Sequence, residues 1–400
     1  MRKIYISIIG LFILVIAIFI YNRYFQSKYI GEKDIQREGF LADKQAILYF
    51  STTADQDMFN GGVSLAVFLD DKGKTSAYKM NGLELGSIAV SEGNEEEVLL
   101  ESKDKIRLIG DNYQEFEMKY QHTGEITGYL KQQNLYFSIY NSGIDTSTDA
   151  GGYNSNVIFG NEEGFEIGNI PYYILTSGVG ENEVLILTRD LEKNLYDVRK
   201  VIFEENKVKV ENMIQLKNEK NMEYGPSSSI VSDEKYYYIV LSEGDSVDLN
   251  SENEILFRIN RETLEQERIV LATYKDHDNL ISLIPYSTNN STYLYENEFY
   301  YMNGLGEVFT LNKLTDDIDI KFTIENPSQD GVRHNEATFF KDDKLYVVRY
   351  DAKKKDKYYI EVYSLKSGKK VSEIQLEGLH AILTSVRGKS IHSYDFKMLK

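Results

Sequence analysis

Cysteine is absent from the 400 residues, and so is tryptophan. Without a thiol there is no disulfide framework, no thiolate metal site, no thiol redox chemistry and no lipid-modified N-terminal cysteine. Proline is scarce, at 4 residues, and histidine numbers 5. Positive charge is also in deficit: 45 Lys and Arg stand against 63 Asp and Glu, a formal net charge of −18. Nucleic-acid affinity draws on cationic contacts and counterion release, so this balance argues against a nucleic-acid partner. It serves solubility first, and divalent cations or basic partners second. Catalytic signatures are missing too: there is no G-x-S-x-G, no P-loop and no H-E-x-x-H. What remains is globular in composition, 42% hydrophobic and 27% charged, with 31 tyrosines.

Long hydrophobic runs are absent except at the N-terminus. Arg2 and Lys3 precede an uncharged stretch from Ile4 to Tyr21. As a helix it would span about 27 Å, close to the roughly 30 Å hydrocarbon core of a bilayer. A cleaved signal peptide would be shorter and end in small residues, and none follow Phe19–Phe25. The reading is an uncleaved anchor: tail 1–3, transmembrane helix 4–21, polar juxtamembrane linker 22–38, and a folded domain 39–400. The basic tail favours tail-in, domain-out, although Arg23 and Lys28 blunt the asymmetry. This predicts a single-pass membrane protein with an extracytoplasmic C-terminal domain.

From Gly39 onward the chain reads as strands: short alternating runs of Tyr, Val, Ile and Phe bounded by Gly, Asn, Asp and Lys. A small residue opens a strand, a charged or Gly/Asn turn follows, and an aromatic strand returns. Copies begin at Gly39, Ser87, Ile126, Tyr173, Ser228, Ser291, Glu336 and Ala381. After most copies a third and fourth strand follow, most clearly over Tyr358–Leu376. Four antiparallel strands recurring every roughly 40 to 60 residues resemble the blades of a β-propeller, in which stacking buries both faces of each sheet. The resemblance covers about 40–396 and implies an all-β fold of about seven blades, with six or eight left open. A pair of β-sandwiches is the alternative. The resemblance is to a divergent, membrane-anchored bacterial propeller of no named enzymatic family. WD40 and kelch signatures are lacking, and so are the tryptophan motifs of quinoprotein and sialidase propellers, so no catalytic residue carries over.

Blades are lettered a to d outward from the axis. The d-to-a and b-to-c loops emerge at one end and are long and varied; the a-to-b and c-to-d turns are short. Insertions on one face of a repeat array mark a binding face. The candidate ligand-binding residues are therefore His122, Tyr172, Tyr224, Asp276, His277, Asp278, Arg333, His334, Glu336 and His380, in or beside d-to-a segments approaching the axis. Asp245, Asp248, Asn250 and Glu252, with Glu254 next to them, form an oxygen-rich loop that admits calcium but lacks EF-hand spacing. No other cofactor is predicted.

The function expected on these grounds is an extracytoplasmic binding or scaffold module using its loop-rich face on an envelope protein, a glycan or a small ligand. The alternative is a propeller-type hydrolase or lyase acting on an envelope polysaccharide, with Glu336, Asp276 and Asp278 as acids, which rests on fold analogy alone.

Overall fold

In the computed structural model the described residues are 29–53, 62–82, 88–91, 97–118, 126–144, 153–180, 182–204, 207–218, 222–245, 251–275, 290–325 and 336–400. The segment 4–21 expected to cross a membrane lies outside them. Among the described residues no helix is long and apolar enough to do so.

The alternating runs form seven sheets. A short strand β1 (Tyr29–Ile30) precedes β2 (Lys44–Ser51), β3 (Val63–Asp70) and β4 (Thr75–Asn81) of blade 1. Blade 2 is β5 (Ile88–Val90), β6 (Val98–Glu101), β7 (Lys105–Ile109) and β8 (Gln114–Glu117). Blade 3 is β9 (Ile126–Leu130), β10 (Leu135–Ile144), β11 (Tyr153–Asn161) and β12 (Gly164–Ile170). Blade 4 is β13 (Tyr173–Val179), β14 (Val184–Asp190), β15 (Leu195–Glu204) and β16 (Lys207–Gln215). In blade 5 the inner strand is split into β17 (Met222–Pro226) and β18 (Val231–Ser232), both on β19 (Tyr236–Asp245), followed by β20 (Glu252–Asn260) and β21 (Gln266–Tyr274). Blade 6 is β22 (Thr292–Tyr295), β23 (Glu298–Met302), β24 (Glu307–Asn312) and β25 (Ile318–Thr323). Blade 7 is β26 (Ala337–Lys341), β27 (Lys344–Tyr350), β28 (Tyr358–Ser364) and β29 (Lys370–Gln375).

The last strand, β30 (His392–Met398), pairs antiparallel with β2 and supplies the inner strand of blade 1. The ring is thus closed by joining the two ends of the chain, and the all-β, seven-bladed propeller expected from the repeat is the fold. Two repeat copies depart from the pattern. At Gly39 the expected first strand is a 3₁₀ turn, Phe40–Asp43, because the inner position it would occupy belongs to β30. At Ala381 the expected strand is a helix, α2 (Leu379–Thr384), whose Leu379 and Ile382 are buried between blades 7 and 1. The linker expected over 22–38 is, from Tyr29 on, part of the folded body. β1 adds to β4 in parallel, and in the short helix α1 (Glu32–Ile35) the side chain of Ile35 is fully buried.

Period-two alternation explains how the blades adhere. Ala46, Leu48 and Phe50 of β2 enter one apolar cluster with Val348, Ile360 and Phe396, while Ile47 and Tyr49 enter another with Ile88, Val98 and Leu100. One face meets blade 7 and the other blade 2. A cluster of this kind fills each of the seven junctions. Each large apolar side chain so buried contributes about 1.5–3 kcal/mol.

The c-to-d turns close on themselves: the side chains of Asp70, Asn161, Asn260 and Asn312 each accept a backbone N–H two residues on, at 2.9 Å. Such turns make tight hairpins without borrowing partners from elsewhere.

Candidate functional site: the axial cavity and the two ends of the ring

The inner strands are stitched to one another around the axis. Thr176 Oγ1 donates to the Ser228 carbonyl at 2.8 Å and Ser291 Oγ to the Ser227 carbonyl at 2.9 Å. The Ile88 N–H donates to Asp395 at 3.2 Å. Blades 4 and 5 approach so closely that a Cβ on Gly178 would lie 1.8 Å from the Ile230 carbonyl oxygen, which requires glycine there.

Inside this ring lies a cavity of about 850 Å³, walled by the inner strands of all seven blades. Ser91, Tyr129, Val179, Ser232, Leu294 and Leu399 are among its lining residues. Each sits at or just before the end of its inner strand or just beyond it, and Ile88, Ile126 and Asn290 line it from the opposite strand ends, so the cavity runs along the axis to the a-to-b turns. Its wall is mixed: Ile126, Tyr293 and Phe339 alternate with Ser91, Thr127, Ser232 and Thr292 around the ring. Charge enters it from the closing strand. Lys397 Nζ lies 3.0 Å from Asn290 Oδ1 and 3.3 Å from Asp395, and 5.4 Å from the centre of the Phe339 ring. A concavity on which a few polar groups converge is the usual form of a ligand site.

The opposite, loop-rich end is organised around buried charge. Glu336 sits at the start of β26, where Arg349 Nε reaches it at 3.2 Å; the same guanidinium holds Glu361 at 3.0 Å and the Glu325 carbonyl at 3.1 Å. Glu254, fully buried at the start of β20, accepts from Tyr301 at 2.5 Å and Asn303 at 3.3 Å. Asn303 also donates to Glu307 at 2.8 Å, and Tyr274 lies 3.1 Å from the same carboxylate. Burial pushes Glu254 up to about 7, against the pull of its hydrogen bonds. Burial also raises Glu101, at the end of β6, to about 8, with Ser138 opposing.

The residues singled out in the sequence are dispersed. Tyr172 is half-buried, with the Arg199 guanidinium 3.8 Å from its ring centre. Tyr224 is core: it packs between Tyr196 and Phe257, at 4.9 and 5.6 Å, and its hydroxyl donates to the Lys217 carbonyl at 2.9 Å. His380 lies on α2 beside Tyr350 and Tyr358, with Lys357 Nζ 3.0 Å from its ring, at the junction of blades 7 and 1 and away from the cavity lining. Glu336 is salt-bridged inside blade 7. His122, Asp276, His277, Asp278, Arg333 and His334 lie outside the described residues.

Of the oxygen-rich loop, Asp245 ends β19 and Glu252 begins β20, while Asp248 and Asn250 lie outside the described residues. Among the described residues no three His, Asp or Glu side chains converge on a metal position. The sequence reading missed Asn290, Asp395 and Lys397. Their signal was faint: two charged residues alternating within the closing strand, whose pairing partner is some 350 residues upstream.

The family described as "YycP, beta-propeller domain" matches residues 39–399. The chain belongs to the YycP β-propeller family. It is similar along its whole length to YycP of Bacillus subtilis (strain 168), at 30% identity over 402 residues covering 100% of both chains. Solved propellers are far more distant. Apo AztD from Citrobacter koseri shares 11% identity at a TM-score of 0.43, covering 89% of this chain and 100% of that one. BamB from Moraxella catarrhalis shares 10% at 0.40, covering 84% of each. Similarity of this degree says nothing of a ligand.

Proposed function

We propose that the chain is a membrane-held binding module of the cell envelope, with its propeller outside the cytoplasm and its ligand in the axial cavity. The observation that carries the reading is the cavity of about 850 Å³, to which every blade contributes its inner strand. The sequence alone favours the loop-rich face; among the described residues the reading is supported at the opposite mouth, which the cavity lining reaches at Val179, Ser232 and Asp342. At the loop-rich end Glu336 and Glu254 are committed to Arg349 and to Tyr301 and Asn303. That commitment takes Glu336, one of the three acids of the hydrolase reading, out of reach of a polymer, while Asp276 and Asp278 lie outside the described residues. The cavity, concave and lined by hydroxyls as well as apolar side chains, suits a small molecule or the slender end of an envelope polymer better than a flat protein surface.

Native mass spectrometry of the full chain extracted from its own membranes tests this. The wild type is expected to carry a bound mass that is lost when Val179→Trp and Leu294→Trp together narrow the cavity. A mass retained by both proteins, or present in neither, overturns the cavity as the site.

A further inference from the structure

We propose that the outer rim at the junction of blades 7 and 1 is the surface that faces the bilayer, so that the ring stands on its edge and both ends of its axis stay open to the side. The proposal rests on the membrane-held reading above. β1 is the outermost strand of blade 1, added to the exposed edge of β4 at Tyr29↔Ala77 and Ile30↔Tyr78. The Tyr29 hydroxyl is hydrogen-bonded to Ser385, which caps α2, and lies 3.3 Å from the carbonyl of Ile382 within that helix. The chain therefore enters the ring at its rim, where α2 and β4 meet, and not at either mouth.

Only Asn22–Lys28 separate that point from the end of the apolar run at Tyr21. Fully extended, those residues reach at most about 25 Å. Blade 4, on the far side of a seven-bladed ring, cannot be brought to the bilayer by so short a tether without tipping the ring over.

Charge agrees with the geometry. The chain as a whole carries −18, yet this rim sets Lys72, Lys74, Arg387 and Lys389 among Asp70, Asp71 and Glu377 and so lacks the acidic excess of the rest. Lys74 and Glu377 are bridged backbone to backbone, which brings the turn of blade 1 and the approach to α2 together. A rim without the chain's acidic excess is repelled least by the anionic surface of a membrane, which attracts nearby Lys and Arg. β1 also covers the edge of β4, so that the edge is not left open to strand pairing.

The absence of cysteine makes the test direct. Lys74→Cys at the proposed contact rim and Lys209→Cys on the outer strand of blade 4 are each labelled with an environment-sensitive fluorophore. The full chain is reconstituted in vesicles of phosphatidylglycerol and phosphatidylethanolamine that carry a headgroup quencher. Quenching at residue 74 is expected to exceed that at residue 209 at least threefold. Equal quenching at both, quenching at neither, or a reversed order overturns the orientation. Flotation of the same samples separates the two readings. A chain that fails to float with the vesicles refutes the membrane anchor itself, whereas a floating chain with equal quenching refutes only the edge-on arrangement.

Discussion

At the end of the ring that carries the a-to-b and c-to-d turns, Glu162, Glu163, Glu234 and Asp343 stand in water, and the turns are closed by their own Asn and Asp side chains. At the loop-rich end Glu101, Glu243, Glu254 and Glu336 are buried, at 0%, 1%, 0% and 8% exposure. The first arrangement costs little, since surface charges interact weakly through water. The second needs partners, because a buried carboxylate without them costs several kcal/mol. Arg349 supplies one set and Arg268, paired to Glu243, another. Charge at the loop-rich end is thus part of the framework that fixes strands β20, β26 and β27, while the cavity mouth at the other end carries Ser91, Ser232, Lys341 and Asp342 on its lining.

This contrast can be broken at several points. Removing residues 392–400 deletes β30 and with it the buried Phe396 and Met398. Blade 1 then lacks its inner strand, and the expected result is loss of cooperative thermal unfolding by circular dichroism. Arg349→Leu leaves Glu336 buried without its cation, while Lys370 still pairs with Glu361 at 2.8 Å, and should destabilise by about 3 kcal/mol in urea titration. A change below about 1 kcal/mol would mean that the buried network is not framework.

Glu254 gives the third test, through pH. Its folded-state value is raised from the ordinary 4.5 to about 7, so the neutral acid is the form the fold prefers. Its contribution is complete below the ordinary value and is lost as pH rises through about 7. Over that window the loss amounts to roughly 3 kcal/mol. Glu254→Gln should remove this part of the slope between pH 5 and pH 8, leaving the portion owed to Glu101, which runs on to about 8. An unchanged slope would show that Glu254 is not the titrating group. The smallest effect is expected at the other end of the ring, where Glu162→Gln should stay within about 0.5 kcal/mol of wild type.

Much of the ring was legible in the sequence because its signals are local. The alternation of Ala46–Phe50, the tight turn at Lys366–Gly368 and the regular recurrence of strand pairs need only neighbouring residues. The closing strand was legible as a surplus copy, but its helix was not: Ala381–Leu383 is apolar enough for either state, and burial between two blades decides it. The site was legible least. Tyr224 reads as a loop residue near a proline and turns out to be core, because the inner strand of blade 5 begins early, at Met222, and runs along β19 in two pieces. Asn290, Asp395 and Lys397 meet only once the ring has closed, and no local pattern announces a contact between residues 105 or 107 positions apart.

The central claim is that the ligand is taken at the cavity mouth and not on the loop-rich face. The cysteine-free chain allows it to be tested by carrying a photo-crosslinker at Ser232→Cys, on the cavity mouth, or at Tyr350→Cys, exposed at the loop-rich end. In native membranes the account predicts capture of an envelope component from residue 232 and none from residue 350. Capture from residue 350 alone, or equally from both, would contradict it.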